Sequence, residues 1–432
     1  MLRKFLFHNF CFVFAVDYWI KRRFTKGGML LLSGLVMAMI FGIDTRRTFA
    51  YQLVAILLTL LIFAGVSSLF FRANFTVKRR LPRFATVGED THYQVSIQNN
   101  TASLQKSLVL SENLSSPLPT FEKFLHTREP GHQRRNWFDN YVGYPRWVWL
   151  RRNSRGGNVP PTTLSTLAPH SVLETDLTFT PLRRGYVHLS GLTLSRPDPF
   201  GLFYALCTFT VPDKLLVLPK PYPLEKINLP GTQKYQRGGV HLAMSVGDAQ
   251  EFVALRDYRP GDPLKHIHWR SFAKLGKPVV KEYQDEFFVR HALILDTFTD
   301  HSHHDSFETA VSVATTFVRT QSHQDSLLDL MFVGKQAYSF TSGRGVTPTE
   351  GLMEILACVD ICEDHPFEHL AGLVMQHISA LSGAVCILLH WDEPRKTFVQ
   401  TLKNQGIPLA IFVVTSQPTD EMPDNVITIS PN

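Results

Sequence analysis

Two long uncharged runs near the amino terminus limit what this chain can become. Residues 27–43 read GGMLLLSGLVMAMIFGI, and residues 49–71 read FAYQLVAILLTLLIFAGVSSLFF. A bilayer's hydrocarbon core takes about twenty apolar helical residues. The second run is long enough to cross one, and the first is a short span. Only Asp44-Thr45-Arg46-Arg47-Thr48 separates them. That predicts a tight helical hairpin, because backbone within lipid must satisfy its own hydrogen bonds. Lys21, Arg22, Arg23 and Lys26 precede the first run, and Arg72, Lys78, Arg79, Arg80 and Arg83 follow the second. Cations concentrated on these flanks put both soluble ends on the cytoplasmic side of the plasma (inner) membrane, with two spans and the lipid bilayer as a partner. Two buried helices of a soluble protein are the competing reading. A cleaved signal peptide fits less well, since no small-residue cleavage site follows the first run.

The same cations explain the net charge. Residues 1–83 hold thirteen Lys/Arg against Asp17 and Asp44, a net of +11, which leaves −4 for the rest of a chain whose total is +7. The basicity belongs to the membrane flanks and does not argue for a nucleic-acid partner. Residues 5–20, FLFHNFCFVFAVDYWI, are aromatic but broken by His8, Asn9 and Asp17. They read as an interfacial segment, with a buried helix as the alternative. Five scattered cysteines, Cys11, Cys207, Cys358, Cys362 and Cys386, lack zinc-ligand spacing. They read as reduced thiols, which suits a cytosolic face.

After the hairpin the hydrophobic period changes from helical to alternating. HYQVSIQ alternates up to the turn Asn99-Asn100, and 108–110, 173–179, 186–194 and 215–218 look similar. Short strands punctuated by Gly, Pro and Asn predict a β-sandwich over 73–222. It carries an insertion, 124–161, where Arg134, Arg135, Arg146, Arg151 and Arg152 interleave with Trp137, Tyr141, Tyr144, Trp147 and Trp149. Such a mixture can stack on single-stranded nucleic acid, sit at a membrane interface or pack on its own sandwich.

The last third alternates strand and helix. HALILD (291–296), 328–333, AVCILLH (384–390) and 409–415 are continuous apolar runs, and 306–319, 349–359 and 366–381 have helical periodicity. That predicts a doubly wound parallel sheet over 286–432 and an α+β multidomain chain overall. Ligands in such folds sit at the carboxyl ends of strands. Asp296, Thr347 and Asp392 occupy such places, and together they could hold a hard cation such as Mg²⁺ through oxygen ligands. The run HSHHD (301–305) is a candidate transition-metal site or a solvated loop.

Between sandwich and sheet, in 223–285, lies EFVALRDYRPGDPLKHIHWRSFAKLGKPVVKEY, Glu251 to Tyr283. Pro260-Gly261 is a turn pair. Asp262 stands at an N-cap position, Pro263 at the first helical position and Gly276 past the end, predicting a helix over 263–275. Glu251, Arg256, Asp257, Asp262, His266 and His268 could form a catalytic cluster, but no nucleophile is paired with a base and no phosphate loop is near. The alternative is a charge-assisted brace. In it Arg256 and Asp262 tie the turn, Glu251 and His268 support it, and Trp269 anchors the helix between the two domains. Lys265, Arg270 and Lys274 around the helix could dock an acidic partner.

This stretch, with FTVKRRLPRFATVGE (75–89), RRGYVHLSGLTLSRPDPFGLF (183–203) and the strand LILDT, resembles the family called domain of unknown function 58. RDYRPGD, IHW and DPFGLF carry the resemblance. It implies a bacterial membrane protein with an N-terminal hairpin, a β-rich segment and a von Willebrand A-like domain. Many such proteins are encoded beside a MoxR-type AAA+ ATPase, often with a transglutaminase-like membrane protein. Their biochemical activity is largely unassigned, and the resemblance implies none; together with the anchor and the lack of a catalytic constellation it favours an interaction or scaffold protein, and no cofactor is expected beyond a divalent cation such as Mg²⁺. The von Willebrand A metal site uses Asp-x-Ser-x-Ser, a Thr and an Asp. Asp296, Thr347 and Asp392 match, whereas Phe298 and Asp300 replace the serines, which implies a degenerate site. A metal-assisted hydrolase using the strand-end carboxylates is the alternative function.

Overall fold

The computed structural model describes residues 2–41, 48–71, 74–115, 118–127, 129, 135–224, 251–262, 264, 267–284, 290–299, 303–321, 327–342, 349–415, 423 and 425–431. The chain is a mixed α+β protein of two compact units, Met1–Lys220 and Pro221–Asn432. The sequence-based boundary at residue 222 lies two residues from this division, and the 251–284 stretch belongs to the second unit.

The first unit opens with three helices, α1 (Leu2–Arg23), α2 (Lys26–Phe41) and α3 (Thr48–Leu69). The Tyr51–Leu69 part of α3 is long and apolar enough to cross a membrane, and only 11% of it is buried. The apolar Lys26–Ile40 part of α2 is shorter. Residues 42–47, between the two helices, lie outside the described residues. Next come strands β1 (Phe75–Arg80), β2 (Phe84–Thr86), β3 (Thr91–Asn99) and β4 (Val109–Leu114). Short helices α4 (Phe121–His126), α5 (Trp137–Val142) and α6 (Tyr144–Asn153) follow. The unit closes with β5 (Gly157–Asn158), β6 (Thr162–Thr163), β7 (Val172–Pro181), β8 (Gly185–Pro197) and β9 (Tyr204–Leu218).

These strands form two sheets, β1-β3-β7-β5 and β2-β9-β8-β4-β6. The alternation read in the sequence sets which side chains meet. Tyr93, Val95 and Ile97 from β3 and Leu177 and Phe179 from β7 share one core with Leu110, Val187, Leu189, Leu192, Leu194 and Val217 from the other sheet. At Gly191 the β8–β9 register shifts, and an added Cβ would lie 2.0 Å from Phe209 O.

The insertion is helical, and much of its charge is spent internally. Arg146 donates through Nε to Glu129 (3.0 Å) and through Nη1 to Phe124 O (3.2 Å), and all three residues are buried. Helix α1 packs on it: Phe7 lies 5.3 Å from Phe124 between ring centroids, Phe14 lies 5.8 Å from Trp147, and the Arg151 guanidinium sits 4.1 Å from the Phe14 ring. One face of the predicted interfacial segment is therefore a protein contact. Leu2, Phe5, Phe12, Val13 and Trp19 remain exposed.

In the second unit, β10 (Glu251–Asp257) and β11 (Val279–Gln284) make a two-stranded antiparallel sheet with α7 (Trp269–Leu275) between them in sequence. Then come β12 (Arg290–Leu295), α8 (His304–Gln321), β13 (Leu327–Val333), β14 (Ala337–Ser342), α9 (Thr349–Cys358), α10 (Glu368–His377), β15 (Gly383–Leu388), α11 (Glu393–Asn404), β16 (Leu409–Val414) and β17 (Val426–Ile429). The six-stranded sheet runs β14-β13-β12-β15-β16-β17, parallel throughout except for β14. One face packs Ala292, Ile294, Met331, Cys386 and Val413 against Leu370, Val374, Phe398 and Leu402 of α10 and α11. On the other face, Phe317 of α8 meets Phe412, with ring centroids 5.3 Å apart. Burial on both faces is why β12, β13 and β15 read as unbroken apolar runs. Neither β14 nor β17 was read from the sequence, since both are short edge strands with partly exposed side chains.

Candidate functional site

The strand order reverses between β12 and β15, which start connections to opposite sides of the sheet. In open α/β sheets the crevice at that point, beyond the strands' carboxyl ends, is the usual ligand position. Asp296 ends β12 there and is fully buried. The fold requires a carboxylate at this point to find compensation, and it finds four donors. Phe298 N donates to Oδ1 (3.0 Å) and Leu389 N to Oδ2 (3.0 Å). The Arg395 guanidinium closes the set, with Nε to Oδ2 at 2.6 Å and Nη2 to Oδ1 at 3.2 Å.

Arg395 comes from the first turn of α11. Asp392 caps that helix, accepting from Arg395 N (3.2 Å), while its other oxygen takes Arg395 Nη1 (2.5 Å). Arg395 Nη2 also donates to Phe298 O (3.1 Å), and the guanidinium lies 4.7 Å from the Phe367 ring. The Asp296 and Asp392 carboxylates hold its charge on against the cost of burial and push its pKa upward. Nearby, burial together with the Arg395 charge pushes His390 below the ordinary histidine value.

Asp296 and Asp392 thus converge, but on a guanidinium. A divalent ion bridging them would have to displace Arg395, and Phe298 offers only its backbone. As arranged, the two carboxylates offer their oxygens to the Arg395 guanidinium rather than to an open cation position. Thr347 lies outside the described residues. Among the described residues no three His, Cys, Asp or Glu side chains converge as a metal-ligand group. His301 of the HSHHD run lies outside the described residues. His303 stacks edge-on with His390 at 5.3 Å, and His304 sits 3.7 Å from Glu308. Sequence reasoning missed Arg395. The usable signal was an Asp retained at a strand end beside the non-ligating Phe298, with an arginine following a Asp-x-Pro helix start.

The second candidate is the hairpin of β10 and β11. Arg256 and Asp262 form a two-pronged ion pair, 2.7 Å on each arm, and Asp262 Oδ2 also accepts Arg259 N (2.8 Å). These hydrogen bonds, that from Arg256 foremost, hold the Asp262 carboxyl down at about 2. Gly261, with φ +107°, makes the turn that brings Arg259 and Asp262 together. Glu251 pairs with Gln284 at the open end of the hairpin, and its side chain lies outside the description. Of the predicted helix over 263–275, Trp269–Leu275 is α-helix, and residues 263, 265 and 266 lie outside the described residues. Both Asp262 oxygens accept from Arg256 and Arg259. Ile267 bridges Val280 and His268 N donates to Val279 O (2.9 Å), which delays α7 until Trp269. His268 Nδ1 lies 2.7 Å from Ser271 Oγ, and Gly276 closes α7 at φ +66°. Lys265 and His266 lie outside the described residues.

Within the second unit Trp269 does not pack into a core. It is 63% exposed, and Leu264 (67%) and Leu275 (63%) are exposed as well. Its only ring neighbour among the described contacts is Phe272, edge-on at 6.0 Å. Arg270, Lys274 and Lys277 are exposed around it. The result is an apolar and basic surface on a braced hairpin.

A third polar cluster lies in the sandwich and was not foreseen. Arg79 of β1, its side chain fully buried, reaches Glu112 (2.7 Å), Asp213 (2.9 Å) and Val211 O (3.0 Å), and Tyr93 OH donates to Glu112 (2.8 Å). It ties the two sheets. Burial pushes Glu112 up to about 7 against the pull of Arg79 and Tyr93, and pushes the Tyr93 hydroxyl above its ordinary value.

No family model matches the chain. An uncharacterized protein of Bacillus subtilis, YeaD, is 24% identical over 165 residues, which is 38% of this chain and 39% of that protein. The chain thus matches well under half the length of that relative. Among solved structures, red sea bream transglutaminase is similar over 34% of this chain and 15% of its own, at 14% identity and a TM-score of 0.18. A metal-bound CARDB domain from Pyrococcus furiosus is similar over 34% and 88%, at 12% identity and a TM-score of 0.18.

Proposed function

We propose that the protein is a membrane-anchored interaction protein whose hairpin of β10, β11 and α7 docks a protein partner. The single observation that carries this is the exposure of Leu264, Trp269 and Leu275 on a turn pinned by the Arg256–Asp262 pair. Contiguous exposed apolar side chains ringed by charge mark interaction surfaces. Arg270, Lys274 and Lys277 give that surface a positive rim, so the partner presents carboxylates around an apolar pocket. The expected occupant, by the family resemblance, is a MoxR-type AAA+ ATPase, with a transglutaminase-like membrane protein as a further component. The sheet order with its single antiparallel strand β14 supports the von Willebrand A-like reading of the second unit. The apolar helices α2 and α3 with their basic flanks support a two-span anchor in a bacterial inner membrane, both soluble ends cytoplasmic. The Asp296–Arg395 pair favours docking over metal-assisted hydrolysis, because the strand-end carboxylates are already neutralised.

The experiment is crosslinking in membranes followed by identification of the captured chains. The intact protein is compared with Trp269→Ala and with Arg270→Glu/Lys274→Glu. Capture of a AAA+ ATPase by the intact chain, lost in both variants and kept in Asp296→Asn, is the expected result. Equal capture by the charge-reversed variant would place docking elsewhere. Capture of no ATPase by any form would remove the partner assignment.

A further inference from the structure

The turn that joins β8 to β9 sits beside α3 in the first unit, at a depth that matters if α3 crosses a bilayer. The Phe200 ring lies 5.6 Å from Phe63, edge-on. Phe63 is well inside the Tyr51–Leu69 window, about 9 Å from its end at the helical rise of 1.5 Å per residue. Phe200 is 51% exposed. With Ala55, Ile56, Thr59, Leu60 and Phe63 it lines an open groove of about 470 Å³.

Irregular backbone at such a depth is tolerated only when its polar groups are satisfied without water. Every backbone N–H of this turn has an internal acceptor. Asp198, itself buried, accepts Phe200 N (3.0 Å), Leu202 N (2.6 Å) and Phe203 N (2.7 Å). Asp198 N donates to Phe203 O (2.8 Å), and Gly201 N donates to Asp198 O (2.9 Å). The α1–α2 elbow supplies two further donors: Thr25 Oγ1 to Gly201 O (2.5 Å) and Thr25 N to Leu202 O (3.1 Å). Gly28 allows the approach, because a Cβ there would fall 2.0 Å from Leu202 O.

We propose that the Asp198–Phe203 turn is a membrane wedge: Phe200 enters the bilayer beside α3, and a lipid acyl chain fills the groove between them. The inference rests on α3 crossing the bilayer. Lipid is the occupant because every α3 residue of the groove lies within the window that would face acyl chains, so groove and span share one solvent.

The test uses the full chain with its native cysteines replaced by alanine, reconstituted in vesicles of phosphatidylethanolamine and phosphatidylglycerol. Single cysteines enter by Phe200→Cys, by Phe63→Cys in α3 and by Glu89→Cys on an exposed turn of the sandwich, each carrying an environment-sensitive fluorophore. The expected result is that the Phe200→Cys label is shielded from aqueous iodide and quenched by lipids brominated near the headgroup end of the chain. The Phe63→Cys label is shielded likewise, and the Glu89→Cys label is open to iodide. A Phe200→Cys label as open as that at Glu89→Cys, with Phe63→Cys still shielded, overturns the wedge and leaves the span intact. An iodide-accessible Phe63→Cys label sinks the span and the wedge with it. Shielding from iodide without quenching by brominated chains overturns the lipid assignment and means that protein covers the groove.

Discussion

Replacing Arg395 by methionine tests whether this side chain is the cation of the strand-end site. Methionine keeps an apolar stem near Phe367 but removes every charge-assisted bond to Asp296, Asp392 and Phe298 O. Asp296, fully buried, is left with the backbone donors of Phe298 and Leu389 alone. Removing one partner of a buried pair costs about 3–5 kcal/mol, and the two surviving backbone bonds set the expectation at the lower end, about 3 kcal/mol. For a unit of this size each kcal/mol lowers the melting temperature by roughly 2–4 °C, so the second unit should melt about 6–12 °C earlier. Calorimetry of the full chain in detergent, following that unit's transition, reads the shift. The Asp296→Asn/Arg395→Met double variant should lose less than the two single losses combined, by about 1 kcal/mol or more, because neither charge is then stranded. Mg²⁺ should raise the melting temperature of Arg395→Met, where the carboxylates are freed, and leave the parent unchanged. The reasoning fails if Arg395→Met melts within about 0.5 kcal/mol of the parent. It fails equally if Mg²⁺ stabilises the parent and Asp296→Ala abolishes the effect.

Arg256→Ala should open the β10–β11 hairpin locally; faster amide exchange across 251–284 with an unchanged sheet core is the expected pattern, and unchanged exchange in the hairpin would show that the pair ties nothing. Glu112 ionises near 4.3 in an unfolded chain and near 7 in the folded one, so the folded state holds its proton more tightly. Its stabilising contribution is full below the unfolded value and is lost as pH rises through 7. Glu112→Gln, which keeps an acceptor for Arg79, should therefore flatten the first unit's stability profile between about pH 5 and 8, and a profile identical to the parent's would count against the buried cluster as its source. Gly28→Ala should cost about 1–3 kcal/mol by overpacking, since the added Cβ lands 2.0 Å from the Leu202 carbonyl oxygen; a melting temperature equal to the parent's would mean that α2 does not rest on the turn.

Several features of this protein were present in local sequence alone. The apolar run 49–71 holds most of α3, whose Tyr51–Leu69 part is long and apolar enough to cross a membrane. HYQVSIQ became β3 with Tyr93, Val95 and Ile97 inward because a strand's side chains alternate. Gly276 closes α7 because only glycine takes a positive φ without strain. Arg256 and Asp262 meet because a turn separates them. What tertiary structure decided involves partners remote in sequence. Arg395 finds Asp296 across 99 positions, giving the strand-end carboxylate an internal ion pair. Thr25 finds Gly201 across 176, seating the α1–α2 elbow on the β8–β9 turn. The exposure of Trp269, 63%, is likewise not legible in its local sequence. Periodicity reports which face of an element is apolar, whereas what covers that face depends on elements brought together only when the chain closes on itself.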